Sequence, residues 1–231
     1  MSNSKTRIIR TPEGFCHADE SGQPLYEARF QEVGSFQNDG IAIVQQDWFF
    51  SHIYKNGEKL YPQWFGWVDY FYDGFAAVKK DGHAYHINFS GKPIYEARFD
   101  DAQGFYEGAA AVKKDGQAFH VDFYGQPLYE ARFDDVSEFE NGAALAAKDG
   151  QQFHIDKKGL PLYEARFDRV YHFRDDVAIA QKDGKVFHIN KGGNPIYAER
   201  FDSLTNFHNG VAKVTDGREE FYINKQGIRI P

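Results

Sequence analysis

The stretch Phe119 to Asp135, FHVDFYGQPLYEARFDD, recurs almost unchanged on both sides of itself, as YHINFSGKPIYEARFDD from Tyr85 and as FHIDKKGLPLYEARFDR from Phe153. Glycine measures the repeat. Gly22, Gly57, Gly91, Gly125, Gly159, Gly193 and Gly227 are separated by 35, 34, 34, 34, 34 and 34 residues, a period that marks tandem-repeat architecture. The extra residue falls in the turn Gln37-Asn38-Asp39, where other copies have a two-residue turn such as Tyr106-Glu107 before Gly108. Turns accept insertions most easily. A second recurrent glycine (Gly40, Gly74, Gly108, Gly142, Gly210, with Asp176 in its place once) sets the phase. It divides residues 6–231, expected to form one repeat domain after a flexible stretch 1–5, into units 6–39, 40–73, 74–107, 108–141, 142–175, 176–209 and a partial 210–231. The first unit is the most divergent.

Within a unit the apolar period is two, which predicts strands. Strands are expected at Ala109 to Lys114, Ala118 to Asp122, Pro127 to Phe133 and Val136 to Phe139. Asp-Gly recurs at 81, 115, 149, 183 and 216 between the first two of these runs. This predicts hairpins, because glycine accepts the positive φ of primed turns. In Tyr129-Glu130-Ala131-Arg132-Phe133 the alternation places Tyr129, Ala131 and Phe133 on a core face and Glu130 with Arg132 on a solvated one. The copies Glu27/Arg29, Glu96/Arg98 and Glu164/Arg166 are expected to form the same charge ladder, each pair worth only about 0.2–1 kcal/mol when exposed.

Alanine is found without exception two residues after each unit's start, at Ala42, Ala76, Ala110, Ala144, Ala178 and Ala212, so something approaches closely there. In a propeller the first strand of each blade lines the crowded centre, and the order of strands and turns is also that of a propeller blade. The fold class expected is all-β: tandem repeats of three to four short antiparallel strands forming a β-propeller of six or seven blades, with an open β-repeat array as the alternative.

The unit resembles the bacterial WG (KWG) repeats, whose pattern runs approximately D-G-x-W-G-x-I-D-x-x-G, a tyrosine-containing strand, then F-x-x-G-x-A-x-V. Asp115, Gly116, Val121, Asp122, Gly125, Phe139, Gly142, Ala144 and their counterparts carry the likeness over most of residues 14–231. The chain looks like a divergent branch, since Ala118-Phe119, Gln152-Phe153 and Val186-Phe187 stand where the family has Trp-Gly. The resemblance implies an interaction scaffold and transfers no catalytic residue.

Composition narrows the function classes. The chain of 231 residues is 42% hydrophobic, 17% aromatic and 26% charged, ample for a buried core and unlike a disordered chain. No apolar run approaches the roughly 20 residues of a membrane helix, and MSNSKTRIIRTPEGF lacks the hydrophobic segment of a secretory signal, so a cytoplasmic protein without membrane contact is expected. A formal net charge of −7 offers no broad basic surface for nucleic acid. The single cysteine, Cys16, cannot form an intrachain disulfide. It takes the place of Tyr85, Phe119 and Phe153, which predicts a small buried residue.

Histidine also keeps register, at His17, His52, His86, His120, His154 and His188, with Tyr222 in the seventh copy. Equivalent positions on different repeats cannot converge on one ion at the roughly 2.0–2.1 Å that zinc requires. The expectation is therefore no metal and no cofactor, with structural ties such as His120 with Asp122 on one strand face. There is no Gly-rich phosphate loop, no GxSxG elbow and no CxxC pair, and the chain is expected not to be an enzyme.

The second unit breaks the symmetry. All three tryptophans lie in it: Trp48 replaces the hairpin glycine, and Trp64 and Trp67 interrupt YPQWFGW where other copies read YEARFDD. Aromatic side chains at positions expected to be wet suggest recognition. Trp48, Trp64, Trp67 and Tyr70 are the candidate partner-binding residues, the competing reading being that Trp64 packs on the divergent first unit. The expected function is a monomeric, non-enzymatic protein–protein interaction scaffold; the alternative is a carbohydrate or small-ligand binding module using the same aromatic patch.

Overall fold

A computed structural model describes residues 6–230; the stretch 1–5, expected to be flexible, lies outside them. Among the described residues all regular structure is β, in twenty-one strands of two to six residues. None of the elements is a helix able to cross a membrane.

The copy around residue 150 shows why the sequence folds this way. Ala144–Lys148 pairs antiparallel with Gln151–Ile155, and the turn residues Asp149 and Gly150 both take positive φ, 53° and 73°, the requirement of a type I′ hairpin. The short strand Asp135–Val136, which ends the preceding copy, pairs with Ala147 and Ala146 to complete a three-stranded sheet. After Ile155 the chain turns at Asp156, whose Oδ1 accepts the amides of Lys158 and Leu160. It then returns beside the hairpin through isolated bridges, Ile155 to Pro161 and Gln152 to Phe167. At the last hairpin the turn keeps the repeat's place while Asp-Gly falls one residue early: Asp216 pairs with Glu219 as Lys182 does with Lys185, and of the turn residues Gly217 and Arg218 only Gly217 takes positive φ, 61°.

The expected alternation holds in the hairpins and fails in the return segment. Ala109–Lys114 and Gln117–Val121 are strands, but Pro127 to Phe133 is not: only its ends bridge, to Val121 and Ala118. The short strand that follows is Asp135–Val136, not Val136 to Phe139. Tyr129 and Phe133 are buried as expected, whereas Ala131 is exposed. Two buried aromatics four residues apart satisfy a bent segment as well as an extended one.

By its contacts the chain divides into two compact units, Met1–Lys114 with Phe123–Gly125, and Asp115–Asp122 with Gln126–Pro231. The first holds the hairpin of Arg7–Thr11 and Gly14–Ala18, two three-stranded sheets centred on Ala42–Gln46 and Ala76–Lys80, and the pair Asp101–Tyr106 with Ala109–Lys114. The second holds three-stranded sheets centred on Ala144–Lys148 and Val177–Lys182, and a four-stranded sheet from Ser203–Leu204 to Arg229–Ile230.

From the second copy onward the core is built the same way, whereas in the first the exposed Arg7 faces Ala18. The recurrent alanines Ala42, Ala76, Ala110, Ala144, Ala178 and Ala212 are fully buried. Where they pair across the hairpin, each faces a fully buried isoleucine: Ala42 with Ile53, Ala76 with Ile87, Ala144 with Ile155, Ala178 with Ile189 and Ala212 with Ile223. Small opposite large fills the space at interior density, and each buried isoleucine contributes about 1.5–3 kcal/mol.

Candidate functional site

The periodic histidines are ties within a copy. His120 Nε2 lies 2.8 Å from the Ser137 carbonyl and Nδ1 lies 2.5 Å from the Tyr129 hydroxyl. A carbonyl can only accept, so Nε2 carries the proton and Nδ1 accepts from the tyrosine. The same pair of bonds holds His17 to Tyr26 and Gly34, His52 to Tyr61 and Asp69, His86 to Tyr95 and Gln103, His154 to Tyr163 and Tyr171, and His188 to Tyr197 and Thr205. A phenylalanine packs on each imidazole, as Phe139 does on His120 at 4.3 Å between ring centres. The expected His120–Asp122 tie is replaced: Asp122 Oδ1 accepts the Gln126 amide at the next turn. Burial pushes His52, His86, His120, His154 and His188 down to about 4, against the opposing pull of the carbonyl each one bonds. With both ring nitrogens engaged, these side chains have no position left for an ion, and no cluster of metal-ligating residues occurs among the described residues.

The glycine ruler records a second tie, from one copy to the next. A Cβ on Gly159 would lie 2.6 Å from the Tyr129 ring, and one on Gly193 2.5 Å from Tyr163. Gly57, Gly91, Gly125 and Gly227 meet Tyr26, Tyr61, Tyr95 and Tyr197 in the same way. The tyrosine that holds the histidine thus rests on the turn glycine of the following copy, which must be glycine for space as well as for φ.

The arginines do not form the expected charge ladder. Arg132 Nη1 donates to the carbonyls of Tyr129, Glu130 and Ala131 at 3.0, 3.0 and 2.9 Å, closing the bend that replaces the strand. Its guanidinium lies 3.9 Å from the Phe119 ring centre. Arg98 over Tyr85, Arg166 over Phe153 and Arg200 over Phe187 repeat the stack at 4.0, 3.9 and 3.9 Å.

This repeating framework shows what the second copy changes. Trp64 takes the arginine position and Ser51, fully buried, takes the stacked-ring position. Trp64 is half-buried, packs against the core of Cys16, Tyr26, Phe30 and Ile53, and carries the Lys59 ammonium 5.1 Å above its ring. The paired signal, a missing ring at 51 with a new one at 64, was present in the sequence and is read only once the stack is known.

Trp48 and Trp67 are different. Trp48 is 84% exposed at the hairpin tip, with φ of 68° following 51° at Asp47, a conformation costly for a bulky residue. Trp67 is 41% exposed in the edge strand Trp67–Val68, at the position held elsewhere by Glu32, Asp101, Asp135, Arg169 and Ser203. Phe50 and Phe65 exchange two backbone hydrogen bonds of 2.8 and 3.0 Å in an antiparallel bridge. Trp48 precedes Phe50 by two residues and Trp67 follows Phe65 by two, so both lie at the same end of the bridge, beside Phe49, itself 51% exposed. Tyr70 is half-buried and lines a cavity of about 200 Å³ with Val33, Gly34, Ile43 and Phe50. Of the four candidates, then, Trp48 and Trp67 are exposed, whereas Trp64 and Tyr70 are half-buried, the first against a core and the second in a cavity.

Small antiparallel sheets in tandem, each tied by a His–Tyr pair and handed on by a Tyr–Gly contact, define an all-β repeat protein of propeller-like class. The chain belongs to the family described as "WG containing repeat", which matches residues 18–47, 55–82, 87–117, 125–151, 155–185 and 189–217. No curated protein matches it. Among solved structures, "Crystal structure of the eukaryotic initiation factor" is similar with a TM-score of 0.60 at 13% identity, over 100% of this chain and 74% of that one. "Structure of Kluyveromyces lactis Hsv2p" matches with a TM-score of 0.47 at 13% identity, over 84% and 74% of the two chains.

Proposed function

We propose that this protein is a non-enzymatic protein-interaction scaffold whose second copy presents the contact surface through Trp48, Phe49 and Trp67. The observation that carries this reading is the exposure of two tryptophans at one end of a hairpin bridge, at positions where the other copies use glycine and polar residues. Exposed aromatics of this size concentrate at binding surfaces, and Trp48 retains a strained left-handed backbone that glycine would relieve. The histidines, engaged at both nitrogens, support a role without catalysis.

The test compares the wild-type chain with a Trp48→Gly, Trp67→Asp variant, which restores residues the repeat itself uses. Affinity capture followed by cross-linking should recover a defined partner with the wild type alone, while circular dichroism shows both chains folded. Equal recovery by the folded variant would refute the assignment. The same exposed rings could stack on a sugar; saturable shifts of the tryptophan indole signals with oligosaccharides, and none with any captured protein, would favour that second reading.

A further inference from the structure

The first copy departs from the repeat at another place, and independently of the tryptophans. Its arginine, Arg29, is fixed as the others are: Nη1 donates to the carbonyls of Tyr26, Glu27 and Ala28 at 2.9, 2.7 and 3.0 Å. The ring that should lie against the guanidinium is missing, because Cys16 holds that position. Arg29 lines an open cavity of about 330 Å³ together with Arg10, Thr11, Glu13, Gln31 and Gln46. Arg10 rises from the neighbouring strand Arg7–Thr11, with its guanidinium 5.8 Å from the Phe15 ring centre. Among the described residues no carboxylate pairs with either arginine.

We infer that this cavity binds a carboxylate group between Arg10 and Arg29. A guanidinium presents a planar fork of donors that matches a carboxylate edge. Arg29 is held in place by its own backbone carbonyls, so little side-chain freedom is lost on binding. Its hydrogen bonds to the backbone use Nη1 alone, which leaves Nη2 and Nε to donate, and Gln46 lines the same cavity. Gln31 is already oriented, its Oε1 accepting the Asp47 amide at 2.9 Å. Glu13, which lines the same cavity, sets the charge of the ligand: against two arginines it leaves a net single positive charge, which favours one negative charge over a dianion such as phosphate. The carboxylate can be that of a small free acid or that of a polypeptide C-terminus.

Isothermal titration and amide chemical-shift mapping on the full chain test this with N-acetylglycine, with acetylated pentaglycine bearing a free or an amidated C-terminus, and with inorganic phosphate. The expected result is saturable binding of a free-carboxylate probe, with shifts centred on residues 10–14, 29–31 and 46. Binding should weaken roughly tenfold in Arg10→Gln and fall as salt rises from about 50 to about 500 mM. Arg10 is exposed, so its replacement leaves the fold intact, whereas Arg29 closes a backbone bend. Arg218→Gln, at an exposed turn outside the cavity, should bind as the wild type does. Binding of N-acetylglycine identifies a free acid as sufficient; binding of pentaglycine alone, lost on amidation, identifies a chain terminus. Absence of saturable binding by either carboxylate, unchanged binding in Arg10→Gln, or preference for phosphate would overturn the inference.

Discussion

Arg132 lies 3.9 Å over the ring of Phe119 while one of its nitrogens gathers three consecutive carbonyls. The stack and the capped bend thus share one side chain, although Arg29 caps the same bend where Cys16 leaves it no ring. In the second copy Ser51 and Trp64 replace both members, so the tryptophan supplies from the loop the bulk that the strand has lost.

Trp64→Arg should then cost about 1–3 kcal/mol, since it removes a half-buried ring from an apolar core and gives the arginine no ring to stack on. Combining it with Ser51→Phe should recover about 0.5–2 kcal/mol of that loss, the range of a desolvated cation–π contact. Urea denaturation of the two single variants and the double variant measures the coupling. Additive effects would show that the two positions do not exchange roles.

Two glycines with nearly equal φ separate conformation from space. Gly150 at 73° has no heavy atom near the site of a Cβ, while Gly159 at 72° has the Tyr129 ring 2.6 Å away. Gly150→Ala should cost about 1–2 kcal/mol, the left-handed term alone. Gly159→Ala adds about 1–3 kcal/mol of overpacking and shifts the Tyr129 ring resonances. Equal melting points for the two variants would contradict the Tyr–Gly contact.

The histidines make stability depend on acid. Above about pH 8 they are neutral in both the folded and the unfolded chain and contribute no pH dependence. Below about 6.5 the unfolded chain takes up protons, whereas the folded chain with pKa values near 4 does not, so stability falls as pH drops from 6.5 towards 4. Each of these five sites forfeits on the order of 3 kcal/mol across the window, and near pH 5 unfolding should take up roughly four protons from them together. Denaturant midpoints recorded from pH 4 to 9 should level off above about pH 8 and decline steeply below 6. A flat profile down to pH 4.5 would show that the imidazoles charge within the fold.

Trp48 predicts a change of the opposite sign. Trp48→Gly relieves a left-handed conformation at an exposed tip and should stabilise the chain by about 1 kcal/mol. Thermal denaturation of this single variant measures it, and a fall in midpoint would mean that the ring is packed instead of presented.

Much of this fold was legible because its spacings are local. The glycine period, the alanine positions and the Asp-Gly hairpins each follow from backbone conformation or from the packing of immediate neighbours. The return segment misled because Tyr129, Ala131 and Phe133 alternate as a strand does, while the chain bends between its bridges at Pro127 and Phe133; Arg132 caps the carbonyls of that bend, and the second copy bends in the same way with Trp64 in the arginine's place. The histidine ties were expected in kind and misassigned in partner: Tyr129 follows His120 by nine residues and reaches it only because the chain doubles back. The tryptophans were visible as departures, but their division into an exposed pair and a packed one rests on the arginine stack, and nothing in the spacing reveals it. For the same reason the vacancy beside Arg29 could be found only after the geometry of its counterparts was known.

The Tyr–Gly contact bears on how such a chain can grow. Tyr129 reaches back to His120 within its own copy and forward to Gly159 in the next, so no cut between copies leaves both contacts whole. Yet both spacings, nine residues back to the histidine and thirty forward to the glycine, recur from the second copy onward with the 34-residue step. Duplicating or deleting any window of one period, wherever its breakpoints fall, therefore supplies each tyrosine with a histidine and a glycine again. A gene for this protein can lengthen or shorten by unequal crossing-over at arbitrary points, and its ancestry need not respect the boundaries of its blades.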